Sequence, residues 1–362
     1  MKIVVVGAGY AGTIAANRLA RRVRDAEITV VNPRAEFVER VRLHEQIAGT
    51  GSAATPLTAM LRAGIALRVG AVDKIGDGVL TMGDGGELGF DYAVLAVGST
   101  VEAPAGAVPV GTWEGARQAR NQLGQLTEDN TVTVVGGGLT GIETASEIAA
   151  AHPRLRVRLV GAAIGASLSP GAQQRVIDAL ERLGVDLVRD TVVDVDAGGG
   201  TITLGSGEVL ASELTLWAIV SGVPDLAARS GLPVTRDGRA VVDEFLRSTG
   251  DPRIFVVGDC AAVPNARFAC ATATPQGAHA ATTLARLIAG RAPKRFSMGY
   301  TGQALSLGRR DGVVQASRRD DVPRRLYVSG RLAAFSKESI NRYAKYGSRT
   351  ANYAWLPGAA TQ

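Results

Sequence analysis

A chain of 362 residues is longer than one ordinary hydrophobic core accommodates, so two or three domains are expected. Hydrophobic residues make up 46% and charged residues 20%, the balance of a soluble globular protein, which excludes a disordered or collagen-like chain. The net charge of +6 is carried without a long basic run or an aromatic-interleaved patch, so solvated arginines and sites for anionic ligands account for it and no nucleic-acid partner is expected.

The N-terminal apolar run ends at Gly7, too early for a signal peptide, and no later window of about eighteen apolar residues could cross a bilayer. Instead Ile3 to Val6 run straight into Gly7-Ala8-Gly9-Tyr10-Ala11-Gly12, and a helix-compatible stretch then carries Ile14, Ala15, Ala16 and Leu19. Buried strand, glycine turn and helix in that order are the context in which G-x-G-x-x-G signifies dinucleotide binding. Gly7 permits the tight turn, Gly9 lets the backbone approach a pyrophosphate, and Gly12 lets the helix pack closely on the strand. The free N–H groups at the start of the helix face the phosphates.

Glu27 to Val31 read as the second strand of a βαβ unit, and Asn32 stands where an acidic residue usually binds the adenosine ribose. Residues 36–51 bring Arg40, Arg42 and His44 together among apolar residues. Two readings are open there: an amphipathic helix with a charged outer face, or a segment facing a cofactor ring with His44 within reach of substrate. Residues 65–97 alternate strand-like segments with turns. They close on a buried strand that ends in Gly98-Ser99, where a backbone can pass close to a ligand.

A helical stretch from Trp113 to Leu126 leads to a second strand, turn and helix: Thr131 to Val135, then Gly136-Gly137-Gly138-Leu139-Thr140-Gly141-Ile142-Glu143. Ile142, Ala145, Ile148 and Ala149 follow with helical spacing. After the next strand, Arg156 to Val160, Gly161 stands where an acidic residue would favour NADH. No arginine follows at once to hold a 2′-phosphate, so NADH and NADPH both remain open. Two fingerprints in one chain have an obvious use: one holds a flavin adenine dinucleotide (FAD), and the other brings a nicotinamide to it.

A helix from Gln173 to Leu183, a β-meander and a buried strand from Leu214 to Ile219 come next. Arg253 to Val257 then delivers Gly258-Asp259 to the ligand edge of a sheet, where the aspartate can accept hydrogen bonds from sugar-alcohol hydroxyls. The only cysteines are Cys260 and Cys270, and the histidines number three. A disulfide framework and a zinc constellation are thereby excluded, no metal site is expected, and a reducing cytoplasm fits. Residues 271–290 begin with a proline turn and continue as a helix, with Gln276 and His279 near its start. The tail from Phe296 reads as strands and turns followed by a polar, basic helix, a third and smaller domain.

The set GAGYAG, FDYAVLAVGS, GGGLTGIE, LTLWAIVSGV and IFVVGDCA, in this order, resembles the FAD-dependent pyridine nucleotide–disulfide oxidoreductase superfamily over nearly the whole chain. Within it the chain is most similar to type II NADH:quinone dehydrogenases. The resemblance implies an α/β fold of two Rossmann-like, three-layer ββα dinucleotide-binding domains, the second inserted in the first, plus a small α+β C-terminal domain. Residues 1–104 and 225–292 would bind FAD, 105–224 NADH or NADPH, and 293–362 would form the acceptor or interface domain. The resemblance also implies that Gly7, Gly9, Tyr10, Ala11 and Gly12 cradle the FAD pyrophosphate. Asn32 would take the ribose position, Val72 would touch the adenine through its backbone, and Arg40 would belong to the flavin-facing segment. Gly98 would close on the cofactor, Asp259 bind the ribityl chain and Gln276 lie beside the isoalloxazine. Gly136, Gly138 and Gly141 would bind the nicotinamide dinucleotide, with Glu143 facing its nicotinamide end.

Three departures shape the expectation. No redox-active cysteine pair is present, which excludes glutathione, lipoamide and thioredoxin chemistry. The tail lacks the strongly apolar amphipathic helix that anchors quinone reductases, and His44 stands where those enzymes tend to carry a non-ionisable or aromatic residue. The expected function is hydride transfer from NADH or NADPH to FAD and then electron transfer to a small quinone-like acceptor. His44 and Gln276 are the candidate catalytic residues, His44 as the proton source at neutral pH. A ferredoxin or rubredoxin reductase docking a redox protein, a dedicated small-metabolite flavin oxidoreductase and a non-enzymatic flavin redox sensor are the alternatives. A cytoplasmic location is expected, with contact to a membrane surface and a homodimer left open.

Overall fold

Apolar runs of four to six residues ending in glycine bury both faces only inside a parallel sheet, and two such sheets form. In the first, the strands lie in the order Ile254–Val256, Tyr92–Leu95, Lys2–Val6, Glu27–Asn32 and Ala66–Val69, all parallel. The second repeats that order with Ala107–Pro109, Leu214–Trp217, Thr131–Val135, Arg156–Val160 and Asp186–Val188. In each, the central strand runs through a glycine turn into a helix, Tyr10–Arg22 or Leu139–Ala151. In each, a three-stranded antiparallel sheet interrupts the chain before the next parallel strand: Val72–Gly76, Val79–Met82 and Glu87–Gly89 in one, Val192–Val195, Gly200–Leu204 and Val209–Ser212 in the other. All five strands of the second sheet fall between Leu95 and Ile254, so the second unit is inserted in the first, as expected from the α/β reading. The computed structural model describes residues 1–358; residues 359–362, the end of the expected C-terminal domain, lie outside the described residues.

Each sheet has its own core. Ile3, Val5, Leu19, Val30 and Phe255 belong to one cluster, and Val132, Val134, Ile148, Leu159 and Leu216 to the other. The third unit is an antiparallel sheet of Gly302–Ser306, Gly312–Ser317 and Pro323–Ser329 followed by the helix Arg331–Thr350. That helix reaches back to the first glycine-turn helix. Asn17 Nδ2 donates to the Ser348 carbonyl at 2.8 Å, and the Arg18 guanidinium donates to the Ala351 carbonyl at 2.8 Å.

Three local expectations are corrected. Residues 36–51 are not a helix with a charged outer face. Glu36–Val38 pairs antiparallel with Ala54–Pro56, a 3-10 turn spans Arg40–Arg42, and a short helix, Leu43–Ala48, packs against the helices Trp113–Leu123 and Leu139–Ala151. Its charged residues point inward, because the inserted unit and the C-terminal helix cover them. The helix over 271–290 does not start after a proline turn. It spans Cys270–Ile288 and runs through Pro275, and beside the missing N–H the Thr274 hydroxyl donates to the Cys270 carbonyl at 2.9 Å. The C-terminal helix is polar on its inner face, through Lys337, Asn341 and Ser348, and apolar on its outer one, where Leu332, Phe335, Tyr343 and Tyr346 stand exposed. Its apolar residues face solvent because the inner face meets charged groups of both glycine-turn units.

Candidate functional site

The two glycine turns are built alike. Gly7 and Gly136 adopt φ of +96° and +125°, a region that L side chains rarely enter. A Cβ on Gly12 would lie 1.9 Å from the Gly7 carbonyl oxygen, and one on Gly141 would lie 1.8 Å from that of Gly136, so both helices pack where only glycine fits. Gly9 and Gly138, by contrast, have nothing within 4 Å of an added Cβ. They form the N-caps of their helices, no side chain caps either helix, and neither first turn holds an acidic residue. Each turn therefore offers open space and unpartnered N–H groups to an anion.

At the first turn the open space is a cleft of about 380 Å3 lined by Gly7, Gly9, Arg34, Arg40, Val72 and Gly98, among others. Its volume lies in the range of cofactor sites. Arg34 crosses it to pair with Glu114 of the inserted unit at 2.6 Å. Arg40 Nη1 donates to Ser99 Oγ at 2.8 Å and lies 3.8 Å from Asp259 Oδ2, and Ser99 Oγ in turn donates to Asp259 at 2.7 Å. Burial pushes the Asp259 carboxyl above its usual range, against the opposing effects of Ser99 and Arg40. A sugar-alcohol chain laid along this edge would meet a carboxylate, a hydroxyl and a guanidinium already aligned.

The second constellation lies where the three units meet. Glu143 is buried, with Oε1 accepting from the Ser306 N–H at 2.9 Å and standing 3.1 Å from Lys337 Nζ. Burial alone would raise its pKa; Lys337 and the Ser306 N–H outweigh that and hold the carboxyl below its usual range. His44 is also buried, and its Nε2 lies 3.3 Å from Ser306 Oγ. Burial pushes the imidazole below its ordinary pKa, only partly offset by Glu143, Glu147 and Glu45, so it is neutral at pH 7. Around this pair Arg42 bridges Glu39, Glu45 and Glu338, and Arg309 bridges Glu45 and Glu147. Burial raises the Cys270 thiol; Lys337 opposes that, and the Asp259 and Glu143 carboxylates add to it.

The residues singled out in the sequence divide among these places. Gly7, Gly9, Asn32, Arg40, Val72 and Gly98 line the cleft. Asn32 is turned inward, its Oδ1 accepting from the Ala8 N–H at 3.0 Å and its Nδ2 donating to the Arg34 carbonyl at 2.7 Å, so it shapes the turn. Tyr10 and Ala11 point their side chains away from the cleft. Tyr10 packs edge-on against Phe37, and Ala11 lies against Gly258 and Gly277. Gln276 is buried with its carbonyl accepting from the Gly258 N–H at 2.7 Å, which fixes the turn that carries Asp259. His44 and Glu143 are brought together at the junction, across Ser306. Gly136, Gly138 and Gly141 form the second turn. Cys260 is buried and its thiol is pushed up to about 11, which makes it a packing residue.

Sequence reasoning named Ser99 only for its backbone and missed Ser306, Lys337 and Asn341. The one signal available for the last two is periodic: Ala333, Lys337, Asn341, Ala344 and Ser348 recur at helical spacing with no large apolar residue among them. Among the described residues no group of three or more His, Cys, Asp or Glu could hold a metal ion.

Duplicated turns, each with an open anion site, one in the first unit and one in the unit inserted into it, define a protein built to hold two dinucleotides. Residues 1–285 match the pyridine nucleotide-disulphide oxidoreductase family, and the chain belongs to it. It is an oxidoreductase that works with FAD and a nicotinamide dinucleotide. The chain is 31% identical to the NADH dehydrogenase-like protein MT1860 of Mycobacterium tuberculosis, over 99% of this chain and 98% of that one. It is 26% identical to the type II NADH:quinone oxidoreductase of Staphylococcus saprophyticus over 95% of each chain. Its fold resembles the sulfide:quinone oxidoreductase of Aquifex aeolicus, with a TM-score of 0.81 at 16% identity over 97% of this chain and 92% of that one.

Proposed function

We propose that the protein oxidises NADH or NADPH and passes the electrons to a small quinone-like acceptor. The observation that carries this reading is the duplicated glycine turn, two open anion sites on one chain. The name of the relative at 26% identity, a type II NADH:quinone oxidoreductase, supports the acceptor class. The cleft fits FAD: the glycines that a Cβ would jam are those of the turn, and the one left open, Gly9, faces the space where phosphates bind. Bound FAD supplies two-electron transfer between a hydride donor and an acceptor.

In this reading residues 1–104 and 225–292 form the FAD unit, 105–224 the nicotinamide unit and 293–362 the acceptor unit. Gly7, Gly9 and Gly12, with the backbone N–H groups of Tyr10 and Ala11, hold the pyrophosphate. The Val72 backbone meets the adenine. Arg40, Gly98 and Asp259 orient the ribityl end, with Gln276 as a positioning residue for Asp259. Gly136, Gly138 and Gly141 hold the nicotinamide dinucleotide. Glu143, kept ionised by Lys337, orients the nicotinamide end, and His44, neutral at rest, accepts a proton and passes it on to the acceptor.

The acceptor unit works at a membrane surface. Leu326, Val328, Leu332, Phe335 and Tyr346 are exposed on it, and Arg324, Arg325 and Arg331 are their exposed neighbours in sequence, which suits anionic lipid. No described helix is long and apolar enough to cross a membrane.

Anaerobic mixing with NADH and with NADPH, followed by steady-state turnover with quinones, ferredoxins and oxygen, tests the function. Bleaching of the flavin and turnover with quinones are expected. A flavin bleached by neither nucleotide, or a ferredoxin preferred over every quinone, overturns it.

A further inference from the structure

Behind His44 the C-terminal helix closes over a small cavity. Its lining includes His44, Ser306, Arg309, Lys337, Glu338 and Asn341, and its volume is about 20 Å3. That is room for one water, and the walls offer a water several polar partners. Asn341 is 3% exposed, faces this cavity and has no side-chain hydrogen-bond partner among the described residues. Its amide atoms are not among the sealed, unsatisfied polar atoms of the described residues, so a water in the cavity can reach and hydrogen-bond them. The inner wall is His44 and Ser306, and Ser306 Oγ also donates to Glu143 at 3.2 Å. The outer rim is Glu338 and Arg309, whose side chains are 28% and 39% exposed. The cavity therefore joins a solvent-facing rim to a fully buried imidazole.

The reaction proposed above needs such a connection. Reducing a quinone Q to its quinol takes NAD(P)H + H+ + Q to NAD(P)+ + QH2, so the hydride brings both electrons and one proton, and the second proton comes from solvent. We propose that this cavity is the proton inlet, in which a water held by Asn341 relays a solvent proton from the Glu338 and Arg309 rim through Ser306 to His44. The inference rests on the proposed function. Asn341 is a positioning residue, since an amide orients the water without titrating. The charged groups that face His44 are Glu45 on its own helix, Glu143 and Glu147 on the helix Leu139–Ala151, Lys337 on the C-terminal helix and Arg309 beyond Ser306.

Asn341→Leu removes the amide and fills the water site. Its FAD content and its rate of anaerobic flavin bleaching by NADH are expected to match the wild type, because hydride transfer uses no solvent proton. Turnover with a water-soluble benzoquinone is expected to fall on the order of tenfold or more, with a solvent deuterium isotope effect larger than that of the wild type. Asn341→Ser, which keeps a polar group and room for water, should recover part of the rate and lower the isotope effect. Ser306→Ala, a smaller change, should likewise lower quinone turnover and raise the isotope effect if the leucine variant fails to fold. Unchanged quinone turnover and isotope effect in either variant overturn the inlet while leaving the function intact. A wild-type flavin that neither nucleotide bleaches overturns both.

Discussion

Lys337 Nζ lies 3.1 Å from Glu143 Oε1, tying the C-terminal helix to the helix that leaves the second glycine turn. Both side chains are close to fully buried, at 12% and 8% exposure, so each is the other's main charge compensation. Lys337→Met leaves a buried carboxylate unpaired and should destabilise the protein by about 3–5 kcal/mol. The Glu143 pKa is depressed in the folded state, so its contribution is present above the unfolded carboxylate pKa and is lost as pH falls through the folded value. Thermal midpoints of wild type and variant should therefore converge under strong acid and separate above pH ~5. Equal midpoints at neutral pH would show that the pair carries no net stability.

His44 has the opposite chemistry and the same direction of pH dependence. It is buried neutral with a lowered pKa, so the stability it contributes is complete above its unfolded pKa, near ~6.5, and is lost as pH falls toward the folded value. His279, also lowered by burial, adds an effect of the same sign. Urea midpoints measured from pH 7 to pH 5 should fall in the wild type and fall less in His44→Gln. The same variant should lose about 100-fold in quinone turnover while its flavin is still bleached by NADH.

The glycine turns separate folding from binding. Gly12→Ala places a methyl 1.9 Å from the Gly7 carbonyl oxygen and should cost about 1–3 kcal/mol as well as FAD. Gly9→Ala meets nothing within 4 Å, so the apoprotein should melt at the wild-type temperature and yet bind FAD at least about tenfold more weakly. FAD-to-protein absorbance ratios and apoprotein melting curves read the two effects independently. A destabilised Gly9→Ala apoprotein would contradict the open space seen at that position.

Nucleotide choice should be lax. From Gly161 to Ser169 the segment after the second strand of the inserted unit holds no charged residue, so neither a ribose hydroxyl nor a 2′-phosphate meets a selective charge there. The kcat/KM values for NADH and NADPH should lie within about tenfold of each other. An aspartate cannot be installed at 161 without moving the turn, because a Cβ there would stand 2.6 Å from the Gly137 nitrogen. A preference above about a hundredfold would locate selectivity elsewhere in the unit.

The exposed apolar face of the C-terminal helix predicts a surface phenotype. Leu332→Ser with Phe335→Ser should weaken co-sedimentation with anionic vesicles while moving stability by no more than about 0.5 kcal/mol, since both side chains are exposed. Undiminished vesicle binding by the double variant would remove this face from the interaction.

Most of the fold was legible because its signals are local. Gly7, Gly9 and Gly12, and again Gly136, Gly138 and Gly141, follow short buried strands at fixed spacing, and spacing alone dictates strand, turn and helix. What distance along the chain conceals is which side chains meet. The sequence could not show that Asn32, in the ribose position, also bonds Ala8 and Arg34, or that Gln276 also holds Gly258. A propensity or a period cannot say where an amide points.

By itself, then, the sequence determined the duplicated dinucleotide sites and the aspartate at the sheet edge, since backbone conformation at glycine and burial of apolar strands are settled within a few residues. Only the tertiary structure decided the junction, where Ser306 is 262 residues from His44 and 163 from Glu143. Lys337 and Asn341 read in sequence as one more solvated helix face. They become the inner wall because that face is the one packed against two buried ionisable groups, and polar residues there satisfy charges that apolar ones would leave uncompensated.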